Sequence, residues 1–133
     1  MRKIEHIGIA VQDLDVSNAL FEKLFGAPAY KSEEVASEGV TTSFFMNGPN
    51  KIELLAATTP DSPIAKFIEK KGEGIHHIAF DVEDIVSEIV RLQKEGFVVL
   101  NETPKKGADN KLVAFLHPKS TNGVLIELCQ EIR

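Results

Sequence analysis

The chain has 133 residues, 43% of them hydrophobic and 26% charged, enough for one globular domain with its own core, since domains commonly run to roughly 100–150 residues. Its 15 basic and 20 acidic residues leave a net charge of −5, with no basic stripe or aromatic-interleaved patch of the kind nucleic acid requires. No window approaches the ~18 apolar residues of a membrane span, MRKIEHIGIA begins a strand pattern instead of a signal peptide, and the single Cys129 allows no internal disulfide framework. A soluble, cytoplasmic protein is expected, with neither nucleic acid nor membrane as partner.

Residues 4–11, IEHIGIAV, alternate as a strand does, with bulky Ile7, Ile9 and Val11 on one face and His6, Gly8 and Ala10 on the other. Asp13 or Asp15 then offers a helix cap, and Val16, Leu20, Leu24 and Phe25 supply an apolar stripe that Gly26 and Pro28 terminate. Val40 to Met46 and Lys51 to Ala56 read as two strands joined by the hairpin signal Asn47-Gly48-Pro49-Asn50. Ser62-Pro63 opens a short helix at about 62–72 with Ile64, Phe67 and Ile68 inward, closing at Gly72.

Beyond that connector the opening phrase returns. HIGIAVQDLDVS from His6 aligns without a gap to HIAFDVEDIVSE from His77, both following helices run to a glycine (Gly26, Gly96), and Ile52-Glu53-Leu54 matches Ile126-Glu127-Leu128. An internal repeat of roughly seventy residues follows, each copy reading β-α-β-β-β. The third and fourth strands of the second copy fall near 112–117 and 123–129, and the second strands, near Thr42 and near Val98, are the weakly marked ones. The expected fold is α+β: one domain of two repeated modules, about 1–60 and 74–133, curling together around a shared cleft.

The repeat puts a histidine on the first strand of each module, His6 and His77, and a glutamate on the last, Glu53 and Glu127. Two imidazoles and two carboxylates suit one borderline divalent ion per subunit, Co2+ foremost, with Mn2+, Ni2+ or Zn2+ as alternatives. The small residues sharing the histidine faces, Gly8, Ala10 and Ala79, leave room for a ligand there. His76 has the wrong parity for this set and is expected to pack or hydrogen-bond on the helix side. Cys129 reads as a small buried hydrophobe and His117 as a loop residue. Lys105-Lys106-Gly107 and Lys119-Ser120 read as solvated loops whose alternative use is contact with phosphate at a cleft rim.

His6, DSPIAKFIEKKGEG (61–74), GIHHIAFDVEDI (74–85) and FLHPKSTNGVLIEL (115–128) resemble the methylmalonyl-CoA epimerases of the vicinal oxygen chelate superfamily, from His6 to Gln130. The resemblance implies paired βαβββ modules and metal ligands at His6, Glu53, His77 and Glu127. It further implies interconversion of (2R)- and (2S)-methylmalonyl-CoA by proton transfer at C2 through a metal-stabilised enolate, with Glu127 as catalytic acid/base, an acyl-CoA substrate and a homodimer. Where some members carry glutamate three residues after the glycine of a Gly-Val strand, Thr42 follows Gly39 here. The second proton-transfer group therefore stays open between Glu53, a bound water and a residue that moves in. Thr42, Lys105, Lys119 and Ser120 are the candidate substrate contacts. Rival readings are a glyoxalase I-like lyase acting on a glutathione hemithioacetal and a non-catalytic binding member. A ring-cleaving dioxygenase would leave the fourth ligand unexplained.

Overall fold

A computed structural model describes residues 1–133, with eight strands and three α-helices. The chain divides into two compact units, one of His6–His76 and one that joins Met1–Glu5 to His77–Arg133.

In the first unit β1 (Lys3–Ala10) leads into α1 (Leu14–Phe25), followed by β2 (Lys31–Val35), β3 (Val40–Asn47), β4 (Asn50–Ala57) and α2 (Pro63–Lys71). The strand order is β2-β3-β4-β1, antiparallel except where β1 meets β4 in parallel. Asn47 pairs with Asn50 across the Gly48-Pro49 loop, and φ of 62° at Gly48 is the left-handed conformation a two-residue hairpin needs at that position. Alternation sends Ile9, Val11, Phe45, Leu54 and Ala56 to the α1 side, where Phe21 and Phe25 pack against Phe45 with ring centroids 6.2 and 5.7 Å away. On the opposite face α2 covers Ala10, Val40 and Leu55 through Ile64, Phe67 and Ile68. Both helices start as the sequence indicates: Asp13 accepts from the Val16 amide at 3.1 Å and Ser62 from the Ala65 amide at 3.1 Å, with Pro63 in the first turn.

Two expectations fail in this unit. The α1 stripe Val16, Leu20 and Leu24 is exposed (66, 61 and 67%), and the helix instead buries Leu14, Ser17, Phe21 and Phe25. Each helix residue is displaced by about 100° from the last, so two apolar rows compete, and the row carrying two aromatic rings wins against Phe45. The second strand is not near Thr42, which lies inside β3; it is Lys31–Val35, a half-exposed strand at the end of the order.

In the second unit β5 (Gly74–Asp81) is followed by α3 (Ile85–Lys94), β6 (Lys105–Lys106), β7 (Lys111–Leu116) and β8 (Ile126–Glu131). The order β5-β8-β7-β6 repeats the first unit's pattern, with β5 and β8 parallel and the rest antiparallel. Ile85, Ile89 and Leu92 of α3 pack on Ala114, Leu116 and Leu128. Asp84 caps α3, and its hydrogen bond from the Ser87 amide holds its carboxyl below the usual range. Val98 does not lead a second strand. Val99 makes an isolated bridge to Leu116, and the strand is the two-residue β6, so Lys105 and Lys106 are sheet residues and not loop. β8 begins later than expected because Thr121–Gly123 form a turn, in which the Gly123 amide bonds to the Pro118 carbonyl. Arg2 joins this unit twice: its amide donates to the Asp81 carbonyl and its Nε to Asp81 Oδ2, both at 2.8 Å.

Candidate metal centre

Each unit builds the same small device from local rules. In the first, Gly8 lies opposite Glu53 across the parallel β1–β4 pairing, so His6, two residues earlier, projects from the same face beside the carboxylate. The glycine leaves that position without a side chain, and His6 Nε2 comes to 3.3 Å from Glu53 Oε1. On the other side Glu53 pairs with Phe44, whose ring meets His6 edge-on at 6.5 Å and 85°. The second unit repeats the device: Ala79 opposite Glu127, His77 Nε2 3.3 Å from Glu127 Oε1, and Phe115, the Cα partner of Glu127, edge-on to His77 at 6.2 Å and 85°. His6, Glu53, His77 and Glu127 are all buried. An imidazole whose Nε2 faces a carboxylate, backed by an aromatic edge, is held in one orientation before any ligand arrives.

Of the remaining candidates only Thr42 shares a sheet face with Glu53. Thr42 sits on the face of β3 shared with Phe44, opposite Leu55, and is 1% exposed; its Oγ1 has no hydrogen-bond partner. Ser120 spends its hydroxyl inside its own turn, donating to the His117 carbonyl at 2.8 Å and accepting from the Val98 amide at 3.3 Å. His117 Nδ1 accepts from the Lys119 amide at 3.0 Å, the loop role expected of it. Lys105 and Lys119 are exposed. His76 packs edge-on against Phe67 of α2, 4.9 Å between ring centres, on the helix side as its parity implied.

Cys129 was expected only to fill space, and it does more: its thiol donates to Glu127 Oε2 at 2.7 Å. Two residues apart on one strand, the pair shares a face, and that spacing was the available signal. The aromatic partners Phe44 and Phe115 also escaped the sequence reading. They stand at different distances from their glutamates in the chain, and only strand pairing reveals the match.

The profile described as the Glyoxalase/Bleomycin resistance protein/Dioxygenase superfamily matches residues 5–115. The ethylmalonyl-CoA/methylmalonyl-CoA epimerase of Cereibacter sphaeroides is 43% identical over 96% of this chain and 97% of its own. The mitochondrial methylmalonyl-CoA epimerase of Dictyostelium discoideum is 42% identical over 95% of this chain and 76% of its own. Among solved structures, a variant of the Streptomyces coelicolor methylmalonyl-CoA epimerase in complex with 2-nitronate-propionyl-CoA superposes with a TM-score of 0.94. It is 34% identical and covers 98% of this chain and 95% of that one. The α+β fold of repeated βαβββ modules and the extent of these matches place the chain in the Glyoxalase/Bleomycin resistance protein/Dioxygenase superfamily.

Proposed function

We propose that the protein is a methylmalonyl-CoA epimerase whose two modules work as one domain, with His6, Glu53, His77 and Glu127 holding a single divalent ion. The observation that carries this reading is the duplicated buried pair, each imidazole Nε2 at 3.3 Å from its carboxylate. Mixed nitrogen and oxygen donors of this kind suit Co2+, with Mn2+, Ni2+ and Zn2+ as competitors. The likeness to epimerases over nearly the whole chain supports the substrate class.

The C2 proton of methylmalonyl-CoA lies between a thioester and a carboxylate, and removing it builds negative charge on oxygen. A divalent ion bound by the four ligands supplies Lewis-acid stabilisation of that charge. Glu127 exchanges the C2 proton on one face, its Oε2 steadied by the Cys129 thiol. Inversion needs a second donor on the opposite face. The buried Thr42 hydroxyl, which finds no partner within the protein, positions a water there, with Glu53 on the same sheet face. Lys105 and Lys119 serve the CoA tail from the surface, while the Ser120 hydroxyl is committed to its own turn. No helix is long and apolar enough to cross a membrane, and the reading takes the enzyme to be a cytoplasmic homodimer.

The test is deuterium incorporation. Protein stripped of metal and reloaded with Co2+ is incubated in D2O with single-configuration methylmalonyl-CoA and, separately, with the glutathione–methylglyoxal adduct. Deuterium at C2 with loss of chirality supports the epimerase. Turnover of the adduct alone replaces it with a glyoxalase I-like lyase.

A further inference from the structure

Along the outer edge of β7 a side chain does the work that strand backbone does in the first unit. There, five residues of β2 run beside β3, Lys31 lies opposite Phe44, and the Tyr30 amide donates to the Phe44 carbonyl at 2.9 Å. The second unit has only the two residues of β6, which reach Leu112 and Val113, and the single bridge from Val99 to Leu116. Between them the His117 amide donates to the Val98 carbonyl at 2.7 Å and the Leu100 amide to the Phe115 carbonyl at 2.8 Å. The Asn101 carboxamide fills the gap that is left. Its Oδ1 accepts from the Phe115 amide at 2.9 Å, and its Nδ2 donates to the Val113 carbonyl at 3.2 Å and the Thr103 carbonyl at 3.3 Å. A carboxamide offers an acceptor and donors in one plane, as a peptide group does, so asparagine can replace missing strand backbone where aspartate or leucine cannot.

What this edge holds belongs to the site. Both Phe115 backbone groups point outward, to Asn101 and Leu100, so its pairing with Glu127 is of the non-hydrogen-bonded kind, in which side chains stand closest. The same ring meets His77 edge-on at 6.2 Å, and His77 Nε2 lies 3.3 Å from Glu127 Oε1. A shift of β7 at Phe115 is therefore passed to the imidazole through the ring and to the carboxylate through the strand pairing.

We infer that Asn101 is a positioning residue for the His77–Glu127 pair, acting through Phe115. The inference rests on the proposed metal site and epimerase chemistry for what the pair does, and on the hydrogen bonds and ring contact for the linkage. Losing a residue that orients metal-binding groups from behind costs about tenfold to a hundredfold in affinity or rate. An effect relayed through one ring belongs at the lower end of that range.

The experiment is a double-mutant cycle on the full chain with Asn101→Ala, Phe115→Leu and the two together. Each protein is read for Co2+ affinity by visible absorption and, at saturating Co2+, for kcat and KM of C2 deuterium exchange, below the lowest melting temperature of the set. Asn101→Ala is expected to lower kcat and Co2+ affinity by about tenfold, with KM within about twofold of wild type. In the Phe115→Leu background the same change should cost less than about twofold, since the ring that relays it is gone. A merely structural asparagine would lower the melting temperature equally in both backgrounds and leave kcat and Co2+ affinity within about twofold of their starting values. That result overturns the inference, as does a full loss that persists without the ring. Should wild type bind Co2+ yet leave methylmalonyl-CoA unchanged, the epimerase reading falls and the cycle in Co2+ affinity still decides the role of Asn101. A wild type that does neither removes the site Asn101 is said to serve, and the inference with it.

Discussion

Replacing Glu127 by glutamine separates chemistry from architecture at a single atom pair. The side chain keeps its size, and the site is buried, so no cavity opens and no loop need move. What changes is charge and proton affinity. Oε1 faces His77 Nε2 at 3.3 Å and Oε2 receives the Cys129 thiol at 2.7 Å, and an amide can satisfy one of these positions as an acceptor but turns the other into a donor. Loss of a positioned acid/base group costs about 10²–10⁴ in rate. Because the same carboxylate is assigned to the metal, turnover at matched metal occupancy should fall by about 10³ or more, near the upper part of that range. The assay follows C2 deuteration by NMR, with metal content measured on the same sample and folding followed by thermal melting. The melting temperature of the metal-free variant should stay within about 3 °C of wild type, less than 1 kcal/mol for a chain of this size. A fully metallated variant that exchanges within about tenfold of wild type would refute the role given to Glu127.

Thr42→Val removes a buried hydroxyl that has no partner, so the protein should gain up to about 1 kcal/mol in urea unfolding while epimerisation slows; equal loss of both would point to a packing role instead. Cys129→Ala releases one oxygen of Glu127, and single-turnover kinetics should show the rate of C2 proton exchange falling by about threefold to tenfold with metal content preserved. Gly39→Ala should be destabilising by about 2 kcal/mol or more in chemical denaturation, since φ there is 64° and the new Cβ would lie 2.8 Å from Ser62 Cβ and Thr59 Oγ1. An alanine variant within 0.5 kcal/mol of wild type, an order-of-magnitude threshold for roughly neutral changes, would show that the β3 entry can shift to relieve the contact.

What the sequence disclosed follows the range over which its signals act. The opening strands announced themselves because alternation is a two-residue rule and the His-Ile phrase recurs, and the parity that put His6 with Gly8 and His77 with Ala79 is the parity the strands show. The helix start at Ser62 was legible for the same reason, a cap acting over three residues, and that of α1 down to a choice between Asp13 and Asp15, which falls on Asp13. KSEEV at 31–35 was missed because a half-exposed strand at the end of the order needs no apolar alternation, and the two-residue β6 is too short to have a period. The α1 face was misjudged since Val16, Leu20 and Leu24 make as good a stripe as the buried row until Phe45 is brought up beside it.

Residues Met1 to Glu5 are made well before the segment they settle on. Their place is with the unit that resumes at His77, and the two hydrogen bonds from Arg2 to Asp81 cannot form until that segment has been made. The unit of His6–His76 is continuous and can close as it is made, whereas the other stays incomplete until the segment from His77 has followed it. A substitution at Arg2 would therefore be felt at Asp81, 79 positions along the chain.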